Sequence, residues 1–300
     1  MADLRRPLDA TAAGAMIVMC ALWGFQQVAI KLAAPAVPLL LQGAIRSGIA
    51  TLLVLGWARW RGIALWQRDG ALVPGLLAGL LFAVEFALIY AGLAHTTAAR
   101  MVVFLYLAPC LTALGLSWFV PGERLSMLQW TGVATAFAGI AVAFGDGFAA
   151  PGRATMRGDA MGVMAAVGWA ATTVLIRASP LAAVSATRTL FYQLAVSAAL
   201  LPLFSLATGD GWVTLWTPLA VASLAYQAVI VAFASYLTWF WMLTKYLAGR
   251  LAVFSFLTPL FGVAFGHAIL GDPLTPAFVA AAALVGAGIA LVNLRRAGQA

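Results

Sequence analysis

The feature that most limits what this chain can become is its rhythm of apolar stretches, each about 20 residues long and ended by a short polar break. A helix rises about 1.5 Å per residue and the hydrocarbon layer of a bilayer is roughly 30 Å thick, so one stretch is the length of one crossing. Ten are predicted, at 12–34, 37–58, 71–94, 98–120, 126–145, 158–178, 183–207, 217–244, 249–270 and 275–294. Hydrophobic residues fill 64% of the chain and charged ones 9%, against roughly 25% charged in soluble domains. No water-facing fold can bury so much apolar surface, so the expected class is an all-α integral membrane protein with ten transmembrane helices.

The breaks are legible. Pro35 and Pro38 separate the first two stretches, Arg59, Arg61, Arg68 and Asp69 the next, and Pro121-Gly122-Glu123-Arg124 closes the fourth. The longest polar link, 146–157, carries Pro151, Gly152, Arg153 and Arg157 near the middle of the chain. Ahead of the first stretch stand Arg5 and Arg6; the stretch itself is too long for a signal-peptide core and is expected to remain as helix 1. The net charge of +8 comes from single or paired basic residues between apolar runs. That pattern suits an anionic lipid leaflet and not nucleic acid.

Lys and Arg are retained on the cytoplasmic side of short loops. With the N-terminus inside, Arg5, Arg6, Arg59, Arg61, Arg68, Arg124, Arg177, Lys245, Arg250, Arg295 and Arg296 fall on the cytoplasmic side, and Lys31, Arg100, Arg153 and Arg157 outside. Both termini are therefore predicted cytoplasmic.

The two halves also resemble each other. Residues 100–109 (RMVVFLYLAP) align without a gap on 250–259 (RLAVFSFLTP), and Gly122-Glu123 then meets Gly271-Asp272. Upstream, Trp23 and Lys31 meet Trp169 and Arg177, and Arg46 meets Arg188. Five helices per half is an odd number, so the second half must enter from the opposite face. The organisation predicted is a first five-helix repeat at 1–145, an outer link at 146–157 and an inverted second repeat at 158–300.

These landmarks resemble the drug/metabolite transporter superfamily, specifically its EamA-type ten-helix exporters. The residues that carry the likeness are Leu22-Trp23-Gly24, Arg46, Tyr106-Leu107-Ala108-Pro109 with Gly122-Glu123-Arg124-Leu125, Thr258-Pro259 with Gly271-Asp272, Gly158-Asp159, and the glycines Gly132, Gly139, Gly286 and Gly288. Glu85 and the Tyr-Leu-x-Pro run are most similar to the YddG group of amino-acid exporters. The resemblance implies a secondary transporter of the cell inner membrane, exporting aromatic and other neutral amino acids by alternating access through a central cavity. It implies a small-molecule amino-acid substrate and the bilayer as partners, and no cofactor.

Glu85 is the one acidic residue deep inside a predicted stretch, 14 residues from its start or roughly 21 Å. A charged group at the bilayer centre costs about 2.5–3.5 kcal/mol on insertion scales, so it faces a cavity or a partner. It can anchor a substrate ammonium, carry a proton, or sit as a neutral acid within the bundle. Trp23, Tyr106, Trp169, Trp239 and Phe256 lie away from the stretch ends and are candidates to line a cavity and stack on flat substrates. Ser235, the repeat-mate of Glu85, is a candidate polar contact. Pro109 and Pro259 occupy matched positions, where a lost backbone donor would free the carbonyls of Leu105 and Ser255 for a shared gating kink. Arg46 and Arg188 can snorkel to headgroups from opposite sides and rank below Glu85. The pairs Gly75/Gly79 and Gly262/Gly266 permit close helix approach.

Competing functions lack their residues. His95 and His267 have no metal-ligand company, Cys20 and Cys110 lie within apolar runs, and with Lys31 and Lys245 as the only lysines no phosphate-binding loop can form. A membrane enzyme finds no paired carboxylates or nucleophile set. A channel or non-transporting scaffold would call for a pore-lining polar stripe, which these helices lack. Within transport, other amphipathic metabolites or drugs are the alternative cargo.

Overall fold

A computed structural model describes residues 9–120, 125–149, 153–209, 211–246 and 254–293. Gly122-Glu123-Arg124, Arg250, the terminal arginines Arg5, Arg6, Arg295 and Arg296, and the side chain of Phe256 lie outside the described residues. The helices are α1 (Ala10–Ala33), α2 (Leu39–Trp60), α3 (Leu72–Gly92), α4 (Ala98–Leu105), α5 (Ala108–Phe119), α6 (Met127–Ala149), α7 (Arg153–Arg177), α8 (Ala186–Thr208), α9 (Pro218–Ala225), α10 (Tyr236–Lys245), α11 (Leu257–Leu270) and α12 (Pro276–Asn293). A π-helix, Tyr226–Ser235, joins α9 to α10 without interruption. Short 3₁₀ turns precede α8 and α11.

Among the described residues, seven helical stretches are long and apolar enough to cross a membrane: Ala10–Ala33, Leu39–Trp60, Leu72–Gly92, Ala98–Phe119, Thr155–Arg177, Ala186–Thr208 and Pro218–Trp239. The other three expected stretches fall on shorter apolar helices, Met127–Ala143, Leu257–Leu270 and Pro276–Val292. α3 illustrates the solvent they require. Gly75, Ala78, Gly79, Phe82, Glu85 and Phe86 face inward, while Leu72, Val73, Leu76, Leu77, Leu80 and Val84 are exposed. An outer face as apolar as the core is stable only against lipid tails.

Helices of the first half pack mainly against helices of the second: α6 on α12, α2 on α8, α3 on α7, α1 on α11, and α3 also on α8. Lipid gives no hydrophobic drive for this, so close backbone approach supplies the contact. A Cβ on Gly132 would stand 2.8 Å from the Gly288 carbonyl oxygen, and one on Gly79 2.7 Å from the Tyr192 carbonyl oxygen. Gly262 lies as tightly against Val102.

Both marked prolines stand at helix restarts instead of mid-helix kinks. α4 ends at Leu105, Tyr106 and Leu107 form a turn donating to Val102 and Phe104, and Pro109 occupies the first turn of α5. In that position a missing N–H costs nothing. In the repeat-related stretch, the 3₁₀ turn Phe254–Phe256 ends where α11 begins, with Pro259 again in the first turn.

Candidate functional site

The break after α4 turns Tyr106 into the centre of the bundle, where it is 4% exposed and meets Trp169 of α7 edge to face at 5.4 Å between ring centroids. Glu85 of α3 is 5% exposed and packs beside Gly168, the residue before that tryptophan. Among the described residues its carboxylate makes no hydrogen bond or ion pair. Tyr106, Tyr236 and Arg46 are its electrostatic neighbours.

Across the bundle, α1 and the α9–α10 segment contribute a second wall. The Trp23 indole N–H donates to Ser235 Oγ at 2.8 Å, and its ring meets Trp239 edge to face at 5.9 Å. The π-helix shapes this wall. Its wider turn is frequent at functional sites, and it ends by presenting Ser235 to Trp23 and the next residue, Tyr236, to Arg46. Tyr106 also neighbours the buried hydroxyl of Thr258 of α11. The structure brings together Glu85, Tyr106 and Trp169 in one group and Trp23, Ser235 and Trp239 in a second, with Tyr236, next to Ser235, an electrostatic neighbour of Tyr106 and Glu85; Pro109 and Pro259 stand at their helix starts. Phe256 cannot be added, because its side chain is not described.

Arg46 does not reach the headgroups. It is fully buried, its guanidinium carbon lies 4.1 Å from the Phe86 ring centroid, and Nη2 donates to the Tyr236 hydroxyl at 3.4 Å. One turn earlier Gln42 starts a buried network. Its Nε2 donates to the carbonyls of Ile30 and Val37, the Gln227 amide donates to Gln42 Oε1 at 3.0 Å, and the Tyr90 hydroxyl donates to Gln227 Oε1 at 2.6 Å. Sequence reasoning missed Tyr236, Thr258, Gln42 and Gln227. The spacing of Gln42 and Arg46, one turn apart in an apolar helix, was the signal available for α2.

The two ends of the bundle are tied differently. At the end carrying the α1–α2 turn, Arg100 is held by Asp159 through Nη2 at 2.6 Å, by Asp146 at 2.8 Å and by the Ala143 carbonyl. Thr96 donates to Asp159, Lys31 donates to the Thr96 carbonyl, and Asp272 accepts from the first-turn N–H of Ala99. At the other end Arg188 also turns inward, pairing with Asp69 and donating to the Gln67 carbonyl. Hydrogen bonding from the Arg188 guanidinium holds the Asp69 carboxyl below its ordinary range. A basin of about 520 Å³ beside Lys31, Leu39, Leu93 and Asp272 opens at the first end, and one of about 220 Å³ beside Gln67, Asp69 and Arg188 at the second. Neither is lined by Glu85, Arg46 or Tyr106.

A multi-span helical protein with a buried polar, aromatic-walled centre between two tied ends has the anatomy of a membrane transporter. Residues 10–145 and 156–294 each match the EamA-like transporter family, and the chain belongs to that family. It is similar to the uncharacterized transporter YvbV of Bacillus subtilis (strain 168), 27% identical over 281 residues covering 93% of this chain and 90% of that protein. An uncharacterized transporter of Archaeoglobus fulgidus is 26% identical over 229 residues, 75% of this chain and 77% of its own. A crystal structure superposes with a TM-score of 0.65 at 23% identity, covering 94% of this chain and 97% of that one, and so shares the fold.

Proposed function

We propose that this chain is a secondary transporter that exports aromatic and other neutral amino acids across the plasma membrane by alternating access. Ten crossings make two inverted five-helix halves, 1–145 and 158–300, with the link 146–157 outside and both termini cytoplasmic. The three short apolar helices count as crossings because each runs alongside a long or equally apolar neighbour, α6 with α12 and α11 with α1. Two family matches within one chain and the matched restarts at Pro109 and Pro259 support the repeat. The YddG-like residues support the direction.

The observation that carries the substrate reading is Glu85: a buried carboxylate without a hydrogen-bond partner among the described residues, beside the Tyr106–Trp169 pair. A carboxyl group with open acceptor oxygens in a low-dielectric aromatic pocket suits a substrate ammonium attached to an apolar or flat side chain, because the arriving cation favours its ionised form. A labelled amino-acid panel offered to proteoliposomes tests this. Saturable flux with mutual competition among aromatic and neutral amino acids is the expected result. Saturable flux of amphipathic cations alone, with no amino acid competing, would overturn it. Cysteines at positions 146–157 that label only from the cytoplasmic side would overturn the topology.

A further inference from the structure

Arg46 is the most costly group in the centre of the bundle. It is 0% exposed, and among the described residues no carboxylate oxygen comes within 4.0 Å of its guanidinium. Among the described residues its Nε and Nη1 are buried without a hydrogen-bond partner, and its one acceptor is the Tyr236 hydroxyl at 3.4 Å. Buried charges are ordinarily paired, and an arginine with idle N–H donors loses hydration without replacement. The Phe86 face under the guanidinium recovers part of that loss and leaves its edges open. One edge of the planar fork has Nε idle and the other has Nη1 idle, so each can receive an oxygen.

We infer that Arg46 is the receptor for the substrate's carboxylate, and that the transporter selects intact zwitterions by reading both ends of the amino-acid backbone, Arg46 the carboxylate and Glu85 the ammonium. This rests on the amino-acid reading above and narrows it to molecules that keep a free carboxylate. Charge balance favours that ligand. A zwitterion adds no net charge to a low-dielectric site, whereas a phosphate dianion adds two negative charges and a bare amine one positive charge. Arg suits the task better than Lys because its planar fork matches two carboxylate oxygens. Tyr236 takes one of the two Nη2 N–H groups, so a carboxylate gripped at two points uses idle Nε or Nη1 together with the remaining Nη2 N–H on the same edge.

The test compares compounds that differ only at one end. Uptake of labelled L-phenylalanine into proteoliposomes is measured against rising concentrations of unlabelled L-phenylalanine, of L-phenylalaninamide, which lacks the anionic oxygens, and of phenethylamine, which lacks the whole group. In the wild type the amide and the amine are expected to inhibit at least 10-fold more weakly than the amino acid. Arg46→Gln is expected to raise the half-saturation concentration for L-phenylalanine roughly 10- to 100-fold, the loss of one charge-assisted pair, while leaving inhibition by the two amines unchanged. Arg46→Lys, which keeps the charge but not the fork, should fall between. Equal inhibition by all three compounds in the wild type overturns the carboxylate reading and leaves amine transport standing. No saturable phenylalanine flux overturns both. Should Arg46→Gln fail to assemble, the wild-type ratio decides alone. An unchanged ratio in a folded Arg46→Gln protein reduces Arg46 to a packing role.

Discussion

Replacing Gly24 with alanine adds one methyl whose ideal position lies 2.8 Å from the Gly262 amide nitrogen, 2.8 Å from the Thr258 carbonyl oxygen and 2.9 Å from Phe261 Cβ. Two of those neighbours are backbone, so no rotamer change can make room; α1 must move away from α11. Overpacking of this kind costs typically 1–3 kcal/mol. Gly56 is the control. It lies inside α2 with no atom within 4 Å of an added Cβ, so alanine there restricts the unfolded chain without a clash and is worth about 0.4–1 kcal/mol in the stabilising direction. The same chemical change should therefore have opposite signs at two helical glycines. Thermal unfolding in detergent reads both. Gly24→Ala is expected to lower Tm by a few to about 10 °C, at about 2–4 °C per kcal/mol, and Gly56→Ala to hold or raise it. Because Gly24 sits between Trp23 and the Thr258 turn, Gly24→Ala should also weaken transport. Equal Tm values for Gly24→Ala and the wild type would refute the packing of α1 on α11.

Glu85→Gln keeps size and packing against Gly168 while removing the charge; affinity for amino acids is expected to fall roughly 10- to 100-fold, measured by half-saturation, with Tm unchanged. Wild-type affinity would make Glu85 structural. Asp159→Asn strips the fully buried partner of Arg100 and is expected to cost about 3–5 kcal/mol, with Asp146→Asn, whose side chain is 12% exposed, costing less; the reverse order of Tm values would contradict Asp159 as the main partner of Arg100. The Asp69 carboxyl has a folded pKa below its unfolded one, so its pair with Arg188 contributes above the ordinary aspartate value of about 3.9 and is lost as pH falls through the depressed one. The Tm difference between the wild type and Asp69→Asn should be flat from pH 8 to 5 and shrink only in stronger acid, and a shrinkage already near pH 6 would count against the pair.

The helices were legible because lipid demands long apolar runs, and nothing else yields them at this spacing. What faces inward was not. In water the polar face of a helix marks its outside, but in lipid both faces are apolar, so α3 gives no periodicity to separate Leu76 from Ala78. Close-approach glycines carry that information here, and Gly75/Gly79 and Gly262 were readable as such. Glu85 stood out as a lone acid, whereas Arg46 in sequence fits a snorkelling side chain as well as a buried one. Only the packing of Phe86 and Tyr236 decides between them. The ties Arg100–Asp159 and Arg188–Asp69 span 59 and 119 residues, distances at which spacing says nothing about pairing. The π-helix has no sequence signature distinct from the apolar run containing it, so Tyr236 could not be assigned to the site in advance.

The central claim is that one buried site serves both faces of the membrane in turn. Counterflow measures it directly: proteoliposomes loaded with unlabelled L-phenylalanine are diluted into a trace of the labelled compound. An alternating site returns occupied, so label should accumulate transiently above its external concentration, and Glu85→Gln should blunt the overshoot. Label that merely equilibrates, at a rate indifferent to what is inside, would contradict alternating access.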